Sequence, residues 1–180
     1  KTELTKALAS FLFDDDNVYV ALRAYESAPE KMIVNEMRRD SNNIRQGDNV
    51  GFAFDTFFDK RNAMQFEVNL LGGRTDGQST NERQYNGDWI PVWRVWARRF
   101  DGGWSIEAMM PFKSIRYRPG RVQTWGFQTR RVSKWKNEIS YPIPMSPARG
   151  TAGSFQMSVA PTVVGIEAPA AGNNLEVKPY

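Results

Sequence analysis

Cysteine and histidine are both absent from the 180 residues. Without cysteine there is no disulfide, no thiolate nucleophile and no thiolate metal ligand. Without histidine there is no Ser-His-Asp or Cys-His catalysis and no His-ligated zinc or iron. Long apolar runs are lacking too, since none approaches the roughly 20 residues that a membrane-crossing helix needs. Charge of one sign is not massed anywhere. The 24 Lys and Arg against 20 Asp and Glu give +4, with arginines interspersed among acids. That pattern suits solubility and ion pairs better than a nucleic-acid footprint. The chain begins at Lys1 without an initiator Met and reads as a processed or excised segment.

What is present is strand-forming sequence. Aromatic residues make up 13 % and apolar residues 41 %, enough for the core of one domain. In residues 49–57, Val50, Phe52 and Phe54 alternate with Gly51, Ala53 and Asp55. After Asp59-Lys60-Arg61-Asn62, residues 63–70 alternate Met64, Phe66, Val68 and Leu70 with Ala63, Gln65, Glu67 and Asn69. Successive strand side chains point to opposite faces, so the pair reads as a hairpin with one apolar and one more polar face. The same rhythm predicts strands at 17–25, 31–37, 92–100, 104–111 and 122–132. Weaker ones are predicted at 139–143, 153–159 and 162–166. No segment shows a helical apolar stripe; 111–117 has room for a single turn. Roughly ten short strands separated by Gly, Pro, Asn and Asp turns predict an all-β, antiparallel β-sandwich or barrel.

Several segments then resemble a known family. They are FLFDDDNVYVALRAYES from Phe11, MRRDSNN from Met37 and GDNVGFAFDTFFDKRNAMQFEVNLLGGRTDG from Gly47, followed by DWIPVW from Asp88. GGWSIEAMMPFKSIRY from Gly102, QTWGFQTRR from Gln123 and NLEVKPY from Asn174 complete the set. Together, and in this order, they resemble the family 9 carbohydrate-binding-module-like domain, in the form that precedes an outer-membrane β-barrel in Gram-negative bacteria. The resemblance implies a jelly-roll or immunoglobulin-like sandwich over residues 1–167 and a linker over 168–180 that hands over to a C-terminal barrel. That family opens with a strand carrying Ile-Asp-Gly and a Trp, so the sandwich is expected to lack its first strand. The resemblance further implies a cell-envelope location, a non-catalytic role in polysaccharide recognition or catabolism, and an oligo- or polysaccharide partner. A structural domain that caps or plugs the barrel without sugar affinity is the alternative. No nucleic-acid partner is expected.

Flat apolar sugar faces stack on aromatic rings while nearby polar groups bind the hydroxyls. Trp89 beside Asp88, and Trp135 near Arg130 and Asn137, have that composition and are the candidate ligand-binding residues. The competing reading of both tryptophans is that they cap the edge of the core; Trp93, Trp104 and Trp125 follow the strand pattern and read as core. Calcium needs six or more oxygen ligands, and Asp40, Asp48 and Asp76 are the candidate metal set if they meet at one end of the sandwich. Asp14-Asp15-Asp16 reads as a turn. Arg38, Arg39 and Arg61 read as ion-pair partners of neighbouring acids. Glycoside hydrolysis needs two carboxyls across a cleft; Asp55, Glu67 and Glu107 are strand-borne but suggest no such cleft, so no catalytic residue is assigned.

Overall fold

Strands with one apolar face must lie face to face to hide it. The computed structural model, which describes residues 7–146, 148, 153 and 156–170, has that arrangement. Among the described residues, eleven strands form two antiparallel sheets, and there is no α-helix. The smaller sheet has the order β1-β2-β8-β7, from β1 (Ala7–Phe13), β2 (Asn17–Tyr25), β8 (Gly103–Pro111) and β7 (Arg94–Phe100). The larger has seven strands. Its path is β10 (Glu138–Ser140), β9 (Val122–Ser133), β3 (Asn49–Asp55), β4 (Ala63–Val68), β5 (Arg74–Thr80) and β6 (Gln84–Asn86). The seventh, β11 (Thr162–Glu167), shares the outer edge of β9 with β10: it pairs with residues 122–126, and β10 with residues 131–133.

The core lies between the sheets. Val18, Val20, Leu22 and Ala24 of β2 and Trp104, Ile106, Ala108 and Met110 of β8 face Val50, Phe52, Phe54, Met64, Phe66, Val68, Trp125 and Phe127. Phe52 stacks on Phe66 at 5.0 Å and Phe54 on Phe127 at 5.4 Å, while Phe11 meets Phe54, Trp125 and Phe127 edge-on. Burying each large side chain contributes about 1.5–3 kcal/mol. Trp93, Trp104 and Trp125 are core residues, as their spacing predicts.

Three departures from the sequence reading follow from pairing. Residues 31–37 form no strand: a 3₁₀ turn at Pro29–Lys31 leads into irregular chain, because both edges of β3 are already taken by β4 and β9. Ile33 instead exchanges two hydrogen bonds with Asp48 at 2.6 and 2.7 Å. Strands β1, β5 and β6 were not expected; in β5 the register puts Arg74, Asp76 and Gln78 on the same face as Val68, Phe66 and Met64, so apolar alternation is missing. Of the expected strand at 153–159, residues 154 and 155 lie outside the described set and Met157–Val159 is a 3₁₀ turn. At the other end, Ala168 is buried and donates to the Arg121 carbonyl, so the first residue assigned to the linker is part of the sandwich; residues 171–180 lie outside the described set.

Candidate functional site

Every residue of β3 and β4 is buried, including those of the face turned away from the core. Strand register lines that outer face up in rows. One row reads Arg130, Gly51, Glu67, Thr75, and the next reads Gln128, Ala53, Gln65, Gly77. Because β3 contributes only Gly51 and Ala53, the long polar side chains of β9 and β4 lean over a shallow furrow. A Cβ on Gly51 would stand 3.5 Å from Glu67 Cγ and 3.7 Å from Arg130 Nε, so glycine keeps the floor open.

Glu67 organises one end. Its carboxylate accepts from Arg130 Nη2 at 2.8 Å and from Arg45 Nε at 2.9 Å. Burial works against the Arg45 charge, but the attraction of Glu67 and its hydrogen bond outweigh it and hold the guanidinium above its ordinary pKa. The Arg45 guanidinium also lies 4.9 Å over the ring of Tyr85, which is 37 % exposed. Tyr85 is seated by its hydroxyl, which donates to the Asp76 carbonyl at 2.9 Å, and by Gly77, whose lack of a side chain admits the ring. At the other end Met157 packs with Ala53 and Ala63.

The furrow holds unmet hydrogen-bonding capacity. Gln65 Nε2, Gln128 Nε2 and Arg130 Nε are buried and have no partner. A buried donor without an acceptor costs about 1–3 kcal/mol, and these three flank β3 from its two neighbouring strands, β4 and β9. The hollow they border, about 10 Å³, gives roughly the room that one hydroxyl or water oxygen occupies.

The residues proposed from sequence do not converge. Trp89 is half-buried with its ring edge-on to Phe66 at 5.9 Å, on the core side of the sheet. Arg130 holds Glu67 on the opposite side of that sheet. Asp88 is exposed, its N–H donating to Asn86 Oδ1. Trp135 is half-buried in the β9–β10 turn, with Lys31 Nζ 4.9 Å and Lys136 Nζ 5.0 Å from its ring centre and its buried Nε1 without an acceptor. Asn137 supplies the left-handed position of that turn, with φ 51°. Of the five, Arg130 alone lines the furrow. Tyr85, Arg45, Gln65 and Gln128 were missed; the signal available was the pairing of polar residues across small ones in β3, which only register reveals.

The expected metal set is not assembled. Asp76 accepts from Arg39 Nη2 and from Trp93 Nε1, both at 3.0 Å, whereas Asp48 accepts from the Ile33 and Lys134 N–H groups. Asp40 pairs with Arg39 Nε at 3.2 Å. Burial raises the pKa of Asp48 and Asp76, and those partners only partly offset it. Among the described residues, no group of three or more His, Cys, Asp or Glu is placed to hold a metal ion, because each of these carboxylates is spent on a neighbouring donor. Asp14 behaves as a turn former, accepting from the N–H groups of Asp16 and Asn17 and from the Tyr19 hydroxyl.

No family model matches the chain, and no curated protein matches it. Solved structures do. A family 9 carbohydrate-binding module from Caldicellulosiruptor kristjanssonii in complex with cellotriose aligns over 100 % of this chain and 83 % of its own, with TM-score 0.60 and 16 % identity. The fold is that of a family 9 carbohydrate-binding module. The glucose complex of a module from the same organism covers 98 % of this chain and 83 % of its own at TM-score 0.61 and 16 % identity. A Bacteroides uniformis protein assigned a carbohydrate-binding role covers 89 % of this chain and 78 % of its own, with TM-score 0.66 and 9 % identity. At such identities the likeness is one of backbone.

Proposed function

We propose that the chain is a non-catalytic carbohydrate-binding module whose ligand meets the outer face of the seven-stranded sheet. The observation that carries this reading is the set of three buried, partnerless N–H donors, from Gln65, Gln128 and Arg130, over the Gly51–Ala53 floor. A glycan hydroxyl is an acceptor of the right size for such a group. The Tyr85 ring, stiffened by Arg45, offers the apolar surface against which a pyranose face would lie. The neighbours of the same fold, two of them complexes with cellotriose and glucose, support a saccharide ligand.

The carboxylates here are poorly suited to hydrolysis. Glu67 is engaged by two guanidinium groups, and Asp55 accepts the N–H groups of Asp59 and Lys60. A glycosidase needs one carboxyl kept as an acid and a second free to attack or to activate water.

The wider setting extends the same proposal: a module of the bacterial cell envelope, joined at its C-terminal side to an outer-membrane barrel and serving polysaccharide recognition or catabolism. Its support is the sequence resemblance of segments such as that running from Gly47 to Gly77. Calorimetry with cellotriose and xylotriose tests the binding itself. Heat of binding that falls at least tenfold in affinity in Gln128→Met supports the furrow. No heat with either sugar, together with crosslinks between this domain and barrel loops in the full-length protein, would favour the barrel-capping role instead.

A further inference from the structure

The outer face of the smaller sheet carries a different constellation. Strand β7 is at the edge of that sheet, and its alternate residues Val95 and Ala97 pack on the core. Arg94, Trp96 and Arg98 therefore point outward, and Trp96 is 48 % exposed. Register sets Trp96 opposite Glu107 and Arg98 opposite Ser105, with Arg23 of β2 next in that row. Arg23 is held by Phe100, whose ring centre lies 4.7 Å from its guanidinium carbon. A surface hollow of about 250 Å³ is lined by Trp96, Arg98, Ser105 and Glu107. Among the described residues, Arg94, Arg98 and Glu107 are in no ion pair.

We propose that this face is a second ligand site, distinct from the furrow, and that it takes an acidic oligosaccharide with a carboxylate on each pyranose ring. Trp96 supplies the stacking surface, and the guanidinium forks of Arg98 and Arg94 match carboxylates in a bidentate way. Three arginines against one carboxylate make the face net positive, so an anionic partner is favoured over a neutral one. Glu107 decides between anionic partners. An ionised carboxylate only accepts hydrogen bonds, so the ligand must bring donors to it, as sugar hydroxyls do and a phosphodiester backbone does not. The hydroxyl edge then faces Glu107 and Ser105 while the carboxylate edge faces the arginines.

The probe is trigalacturonate, with galactotriose as its neutral counterpart, titrated calorimetrically into the full chain. The expected result is binding of trigalacturonate that weakens at least tenfold in Trp96→Ala, further in Arg98→Glu, and several-fold on raising salt from 0.05 to about 0.5 M, where charges are screened over a few ångströms. Galactotriose should bind at least tenfold more weakly. Cellotriose reports on the furrow and should bind wild type and Trp96→Ala alike; if cellotriose binds neither, the furrow reading fails while the trigalacturonate result stands by itself. Near-UV circular dichroism confirms that the variants fold. Absent binding of trigalacturonate, equal binding by Trp96→Ala, or tighter Trp96-dependent binding of a single-stranded oligonucleotide would each overturn the proposal.

Discussion

Gln128→Met should leave the stability of the protein nearly unchanged while weakening its hold on sugar. Gln128 is 1 % exposed, and its Nε2 has no acceptor. A buried unmet donor costs about 1–3 kcal/mol. Methionine has nearly the same length and volume and needs no hydrogen bond, so that cost disappears. Against it stands the loss of Gln128 Oε1 as acceptor for the Thr129 N–H at 3.2 Å, which leaves that donor unmet in turn at a similar cost of about 1–3 kcal/mol. The two nearly cancel, so stability should stay within about 1 kcal/mol of wild type, a change in Tm of no more than about 2–4 °C for a chain of this size. Urea unfolding followed by circular dichroism gives the stability, and calorimetry with cellotriose gives the affinity on the same preparations. A loss of stability above 1 kcal/mol would show that the amide nitrogen is satisfied in the free protein, and the reasoning from unmet donors would fall with it.

Arg131→Met should cost about 3–5 kcal/mol, because it strands the Glu26 carboxylate, fully buried and 2.7 Å from the guanidinium, with Lys136 at 3.5 Å and the Ala28 N–H at 3.4 Å; an unchanged urea midpoint would count against this. Burial raises Asp48, Asp55 and Asp76 above the ordinary value of 3.8. Their contribution to stability is therefore fully present below that pH and is lost as pH rises through the raised native value. Hydrogen bonds from Arg38 and Ser41 lower Glu36 from 4.5, so its contribution is present above that value and is lost as pH falls through the native one. Carboxyl carbon NMR titration reads both groups, and Asp48 titrating below 3.8 would contradict the sign. Gly77→Ala would place a methyl 2.5 Å from Tyr85 Cζ; overpacking of this kind costs about 1–3 kcal/mol, and the displaced ring should carry sugar affinity down with it. Retained affinity would remove Tyr85 from the site.

How much of this was legible in the sequence depends on what each residue had to meet. Strand β2 was readable because Val18, Val20 and Leu22 bury one face against a single partner layer; the predicted and observed spans coincide at 17–25. The hairpin of β3 and β4 was readable too, down to its turn, where Asp59 accepts the N–H groups of Arg61 and Asn62. The burial of its more polar face was not: Gln65 and Glu67 are only 4 % and 5 % exposed. Alternation says which residues share a face, but not whether long side chains on neighbouring strands close over small ones between them. Strand β5 was invisible because Asp76, on its core-facing side, is satisfied by Arg39 and Trp93 from distant segments. Trp89 and Trp135 stand out as large rings in polar sequence, yet Trp89 packs edge-on to Phe66 and two lysines lie about the ring of Trp135. The furrow depends on which residue of β9 stands beside which residue of β3, and no local pattern encodes that register.

The divided edge of β9 has an effect on the furrow itself. Between the stretch paired with β11 and the stretch paired with β10, the Phe127 N–H finds the Pro161 carbonyl, and the Thr129 N–H, pointing the same way by the two-residue repeat, finds the Gln128 side chain. One amide thus mends a missing rung with its oxygen while its nitrogen faces the furrow. Backbone integrity and molecular recognition converge on a single side chain, and a substitution there is felt by both at once.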